Sequence, residues 1–284
     1  MTIADRVHDI TLQIAAAASL ADAQALLLWS QAMIGNIERG DLDIGIVSVE
    51  LARMVPTALD KALALGLAQA GITLADWLVR SPLEEPDFEA AEAALLAAIG
   101  LGLPEACIEL MSYRWFYRRD SCSPADAAQA FALLQAWWAA HPQDARALYL
   151  LALVTCSGFG AAAHPARAAH MLARAAALGN PDAMFELFIY YSNGIGVTVD
   201  EDQAIAYLYQ AAEAGQLRAM YNLGAFHATG RYVEQDQANA VVWYTRAAEA
   251  GHAKAAETLA IMYEEGMGVE ADAGRAEHFR AMLD

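Results

Sequence analysis

Apolar and polar positions in this chain alternate with the period of an α-helix, and the helices themselves recur every 36 residues. Ala147, Ala183, Ala219 and Ala255 each stand four residues before a leucine (Leu151, Leu187, Leu223, Leu259), which places both on one helix stripe. The run AAALGN at 175–180 returns as AAEAGQ at 211–216 and AAEAGH at 247–252. Its glycine ending reads as a helix C-cap. A second glycine set, Gly158, Gly194, Gly230 and Gly266, keeps the same step, and Gly160, Gly196 and Gly268 follow two residues later. Asp200, Asp236 and Asp272 precede Ala204, Ala240 and Ala276 by four residues and suit the N-cap of a second helix.

Each unit therefore predicts a helix, a glycine turn, a second helix and a glycine stop. Fainter units lie in register upstream. Gly66 and Gly102, Ala70 and Ala106, and Leu74 and Leu110 are each 36 apart. The step from Ala106 to Ala147 is 41, so that unit carries five extra residues. Six first helices are expected, starting near Ala70, Ala106, Ala147, Ala183, Ala219 and Ala255. One such hairpin cannot bury its own apolar face, whereas stacked neighbours can. Residues 3–38 and 43–56 also read as helices, with SLADAQ at 19–24 as a start signal and Arg39 to Asp43 as a turn. They form an N-terminal helical cap over residues 1–69, continuous with a solenoid over 70–284 in one elongated domain.

The best units, AMFELFIYYSNGIGVTVDEDQAIAYLYQAAEAG at 183–215, AMYNLGAFHATGRYVEQDQANAVVWYTRAAEAG at 219–251 and AAETLAIMYEEGMGVEADAGRAEHFRAML at 255–283, resemble the Sel1-like repeat family, relatives of the tetratricopeptide repeat. The resemblance runs over roughly 144–284, thins over 70–143 and stops before about residue 57. Phe188 and Ala260 stand where the family has a small glycine, and His227 where it has tyrosine, which suggests local repacking. The resemblance implies an all-α, right-handed α-solenoid whose first helices line a concave face, and a non-catalytic adaptor or scaffold for protein complexes. A secreted branch linked to β-lactam chemistry has a disulfide in each repeat, which three cysteines (Cys107, Cys122, Cys156) cannot supply.

Composition narrows the function further. With 57% hydrophobic and 18% charged residues, burial is no obstacle and disorder is not expected. The net charge of −18 is spread evenly, −9 over residues 1–100 and −9 over 101–284. Such a field repels phosphate backbones and anionic membranes and attracts a basic protein. The start MTIADRVHDI lacks the features of a signal peptide, apolar runs are too short to span a bilayer, and the cytoplasm is the expected compartment. No nucleotide, metalloprotease or hydrolase motif is present. The acid clusters (Glu84, Glu85, Asp87 and Glu89; Asp200, Glu201 and Asp202; Glu264 and Glu265) fall in turns and helix starts, where solvated or capping acids are ordinary. No cofactor, no metal and no catalysis are expected.

In tetratricopeptide geometry, the groove presents residues two before and two after each first-helix leucine. That step yields the rows Tyr149, Phe185, Tyr221, Glu257 and Leu153, Ile189, Ala225, Ile261. One residue before the leucine lies a third row, Leu150, Glu186, Asn222, Thr258. Aromatics beside Asn222 and Glu257 suit a protein or peptide, and Glu186 is counted with them among the partner-binding candidates. A possible second patch, YRWFYRR at 113–119 (Tyr113, Arg114, Trp115, Arg118, Arg119), cannot face the core with all its aromatics and implies exposed rings or arginine–aromatic stacking. The favoured alternative is that the five extra residues fold the cluster back onto the solenoid. Three narrower roles remain open at this point: an acidic immunity or chaperone-like protein that neutralises a basic toxin or regulator, an enzyme or small-ligand binder, and a weak homodimer through the C-terminal edge at Phe279 and Met282.

Overall fold

A period of 36 demands that each unit bury the same positions, and the computed structural model, which describes residues 3–38, 51–83 and 85–283, meets that demand. Among the described residues the chain forms fifteen α-helices and no strand. The alanines and leucines of the repeating stripe, Ala147 with Leu151 through Ala255 with Leu259, are all buried. The chain divides into two compact units, residues 1–140 and 141–284.

The first unit holds α1 (Ile3–Ala16), α2 (Leu20–Glu38), α3 (Val55–Ala64), α4 (Gln69–Arg80), α5 (Phe88–Gly100), α6 (Ala106–Phe116) and α7 (Pro124–Ala140). Helices α1 and α2 part at Ser19. Its hydroxyl accepts from the Asp22 backbone N–H at 3.2 Å, while the Asp22 carboxylate accepts from the Ser19 N–H at 2.9 Å. This reciprocal pair is the helix start that SLADAQ predicts. The hydroxyl of Ser19, foremost, holds the Asp22 carboxyl below its ordinary value. The expected turn at Arg39–Asp43 and the helix expected from residue 43 lie outside the described residues as far as residue 50, as does Glu84. Helix α2 packs on α3, and α3 through α6 each pack on the next helix in the chain.

The second unit holds four helix pairs: α8 (Ala145–Ser157) with α9 (Pro165–Ala177), α10 (Pro181–Asn193) with α11 (Glu201–Glu213), α12 (Leu217–Thr229) with α13 (Gln237–Glu249), and α14 (Ala253–Glu265) with α15 (Ala273–Ala281). The second helices start as expected. Asp200, Asp236 and Asp272 accept from the backbone N–H three residues on, at 2.9, 3.0 and 3.0 Å. The first helices are capped as well, by a set that no shared residue type announces. Asp144, Asn180, Gln216 and His252, each 36 apart, accept from the N–H of Ala147, Ala183, Ala219 and Ala255 at 3.0, 2.8, 2.7 and 3.2 Å. Replacing an N-cap oxygen by a methyl typically costs about 1 kcal/mol. Asp200→Ala should therefore lower unfolding free energy by about that much in a denaturant titration, and an unchanged midpoint would mean that the cap is dispensable.

Tertiary packing accounts for the departures from the repeat pattern. Gly224 on α12 leaves room for the Tyr244 ring, since a Cβ there would stand 2.7 Å from it. One unit earlier, Phe188 takes the glycine's place and Leu208 takes the tyrosine's register, so the larger residue moves to the other helix. Phe188 is buried with its ring 5.9 Å from Phe185 and 6.0 Å from Phe226. His227 keeps an aromatic contact through Tyr209, whose hydroxyl lies 3.0 Å from its Nε2.

The C-terminal helix corrects one expectation. Phe279 is no exposed edge: it is 6% exposed and stacks on Tyr263 at 5.7 Å. The same pairing joins Tyr191 to Tyr207 two units earlier, sixteen residues apart in both cases. Met282, beyond the end of α15, is 43% exposed.

Candidate interaction face

Because the alanine–leucine stripe turns into the core, the rows beside it decide what each first helix offers outward. In the row two residues before the leucine, Tyr149 on α8 and Tyr221 on α12 are half-buried and Glu257 on α14 is exposed. Phe185 on α10 differs. It is 3% exposed, and the Arg218 guanidinium lies 4.5 Å from its ring centroid, so it acts as a platform for arginine rather than as a surface anchor. The Tyr221 ring is held between Tyr244 at 5.4 Å and His252 at 4.7 Å. In the row after the leucine, Leu153, Ile189 and Ala225 are half-buried and Ile261 is exposed. In the third row Leu150 is buried, while Glu186, Asn222 and Thr258 are half-buried.

One group of polar side chains collects on this face. Tyr149 and Cys156 stand seven residues apart on α8, and Glu186 and Tyr190 four apart on α10, spacings that put each pair on one helix side. The Tyr190 hydroxyl is hydrogen-bonded with the Cys156 thiol. Burial drives both the Tyr149 and Tyr190 hydroxyls well above the ordinary tyrosine range, Tyr190 further through that hydrogen bond. Burial also raises the Glu186 carboxyl above its ordinary value. Arg218 acts in the opposite sense, and Asp182 adds to the rise. Glu186 takes part in no hydrogen bond or ion pair among the described residues. Tyr149 and Glu186, taken from two different rows, thus lie close enough for the carboxylate to act on the hydroxyl. Cys156, Tyr190 and Arg218 join them without having been singled out, although the i, i+4 and i, i+7 spacings to Glu186 and Tyr149 could have shown the first two.

The 113–119 patch splits in two. Tyr113 and Arg114 are buried, which agrees with folding back of the segment and takes both out of the possible surface patch. The Arg114 guanidinium donates to the Glu92 carboxylate and to the backbone carbonyl of Asp126, and reaches the Gln129 side-chain oxygen at 3.4 Å, tying α6 to α5 and α7. Arg118 supports the same carboxylate at 3.3 Å. Burial pushes the Tyr113 hydroxyl well above its ordinary range. Phe116, Tyr117 and Arg119 face outward, while Trp115 and Arg118 are half-buried. Phe116 is 57% and Tyr117 49% exposed, Tyr117 stacks on Phe88 at 5.4 Å, and Arg119 lies 4.2 Å above the Trp115 ring. Ring exposure or arginine–aromatic stacking was expected of this segment, and the segment shows both.

None of the three cysteines is in a disulfide, and Cys107 is buried. Burial raises the Cys122 thiol above its ordinary value despite Arg114 nearby, the opposite of an activated thiolate. Among the described residues, no group of three or more histidines, cysteines and acids could hold a metal ion, and no helix is long and apolar enough to cross a membrane.

Comparison with known proteins agrees with the architecture. Residues 145–180, 181–216, 217–252 and 253–279 match the Sel1 repeat in four consecutive copies, each beginning at a first helix. Among solved structures, the chain is similar to a protective antigen present in uropathogenic Escherichia coli strains that displays an SLR fold, with 25% identity and a TM-score of 0.55. That alignment covers 80% of this chain and 48% of the antigen, so the chain spans about half of that relative's length. It is similar to a Sel1 repeat protein from Oxalobacter formigenes at 24% identity and a TM-score of 0.58, covering 83% of this chain and 98% of the other. It is also similar in fold to an immunity protein from Pseudomonas aeruginosa at 20% identity and a TM-score of 0.54, covering 76% and 80%. No curated protein matches the sequence.

Proposed function

We propose that the four Sel1 repeats of residues 145–279 form a non-catalytic scaffold that binds a protein or peptide along the face of α8, α10, α12 and α14. The observation that carries this reading is the half-buried row of Tyr149, Glu186, Tyr221 and Asn222, continued by exposed Glu257 and Ile261. Aromatic rings already ordered by packing, as Tyr221 is against Tyr244 and His252, bind at little entropic cost. A narrower form of the same reading is neutralisation of a basic partner. It is favoured by the net charge of −18, and the fold likeness to an immunity protein is compatible with it.

Photo-crosslinking tests the face directly. A benzoylphenylalanine at Tyr149 or Tyr221 should trap the same partner in extracts of the source cells, while one at Val242, exposed on second helix α13, should not. Trapping from Val242 alone, or equally from all three positions, would move the interface off the first helices.

A further inference from the structure

We infer that the half-buried carboxylate of Glu186 receives a lysine or arginine side chain of the partner. This inference rests on the first-helix face being the binding face, and it adds the chemistry recognised there.

The repeat does not call for an acid at this register. The equivalent positions 36 residues away are Leu150 and Asn222, with Thr258 one unit further, none of them charged. The fold itself gains nothing evident from the carboxylate, which caps no helix and joins no ion pair or hydrogen bond. A carboxylate that loses water without gaining a partner is a cost to the folded chain, and proteins ordinarily pair such groups. The cation on the same face is already engaged. Arg218 is exposed and lies over the Phe185 ring, and Asp182, one helical turn before Glu186, faces the same group of charges. Tyr149, half-buried on α8, and buried Tyr190 complete the surroundings of the carboxylate.

An entering ammonium or guanidinium group would supply a direct ion-pair partner, beyond the more distant Arg218 charge, in a partly desolvated site where an ion pair is worth more than on the open surface. Its aliphatic stem would lie beside the Tyr149 ring, and a basic segment would be drawn in by a chain of net charge −18. The other carboxylate on these rows, Glu257, is exposed and solvated, so a pairing there is worth little.

The test uses decalysine as the probe, with decaglutamine and decaglutamate as controls, and compares Glu186→Gln with Glu257→Gln by titration at 0.15 M salt. Both variants remove one negative charge, so a field effect alone would weaken them alike. Glu186→Gln should weaken decalysine binding by about ten-fold or more and Glu257→Gln by less than about two-fold. Equal weakening, no decalysine binding by the wild type, or equal binding of either control decamer would overturn the inference.

The free protein provides a second readout. A carboxyl whose folded value is raised loses stability as pH climbs through that value, and glutamine has no such loss. Glu186→Gln should therefore be at least as stable as wild type at pH 7 while binding less. A lower melting temperature would instead make Glu186 structural. If cross-linking through Tyr149 and Tyr221 persists while Glu186→Gln leaves decalysine binding unchanged, the binding face stands and the basic anchor falls.

Discussion

Replacing Glu92 by alanine should destabilise the protein by about 3–5 kcal/mol, the scale expected when a buried ion pair loses one member. The Arg114 side chain is 1% exposed and that of Glu92 17%, so the guanidinium depends on this carboxylate for its charge balance. Its remaining partners, the Asp126 carbonyl and the Gln129 side chain, are neutral dipoles. The Asp126 carboxylate stands 3.9 Å away but is half exposed and offers weaker compensation. Arg118 loses a partner in the same substitution and keeps only a 3.8 Å contact with exposed Glu89. The double substitution Glu92→Leu, Arg114→Met removes both charges and should recover most of the loss, because an apolar pair of similar volume carries no desolvation cost. Denaturant titration of all three proteins decides the matter. A loss below about 1 kcal/mol in Glu92→Ala would show that water reaches the guanidinium and that α5, α6 and α7 are not held through it.

Gly196→Ala should cost about 3 kcal/mol or more, whereas Gly215→Ala should cost only about 1–2 kcal/mol. Both glycines sit at positive φ, +68° and +93°, so the backbone penalty is common to the two. The surroundings differ. A Cβ on Gly215 meets nothing within 4 Å, while a Cβ on Gly196 would stand 2.3 Å from the Pro165 carbonyl carbon and 2.5 Å from the Ala166 nitrogen. The turn after α10 thus lies directly on the first turn of α9, and the extra methyl must push one repeat off its neighbour. Equal losses in the two variants would mean that this junction yields easily. At the corresponding place in the next unit the chain carries Tyr232 at φ +63°, its ring 4.9 Å from Phe226, so the residue keeps the left-handed backbone and adds an aromatic contact.

These outcomes separate what maintains the stack from what the stack presents. Glu92, Arg114 and Gly196 act between helices. Glu186 stands apart because its removal is expected to spare stability and cost binding, the signature of a group retained for recognition.

Much of the architecture is written in the order of residues. Helix type, the 36-residue step, the turn glycines and the capping aspartates depend on contacts within one or two helical turns or on backbone angles that only certain residues adopt, so a linear pattern reports them. The first-helix caps show the limit of that reading. Asp144, Asn180, Gln216 and His252 make the same hydrogen bond from four different side chains, and only the positions of their acceptor atoms reveal the equivalence. Which rows face outward was legible only in part. Tyr149 and Tyr221 are half-buried, but Phe185, at the same register, is covered by an arginine from the following repeat. Phe279, placed by the sequence at an open edge, is buried because α15 folds back on α14 and repeats the aromatic pairing of earlier units. The seven residues YRWFYRR foretold that some rings must stay outside the core. Which arginine would be buried was decided by Glu92, 22 residues away on α5. Local stereochemistry therefore determined the helices and their spacing from the sequence alone. The burial of individual side chains, and with it the unpaired carboxylate of Glu186, was decided only by which helix came to lie against which.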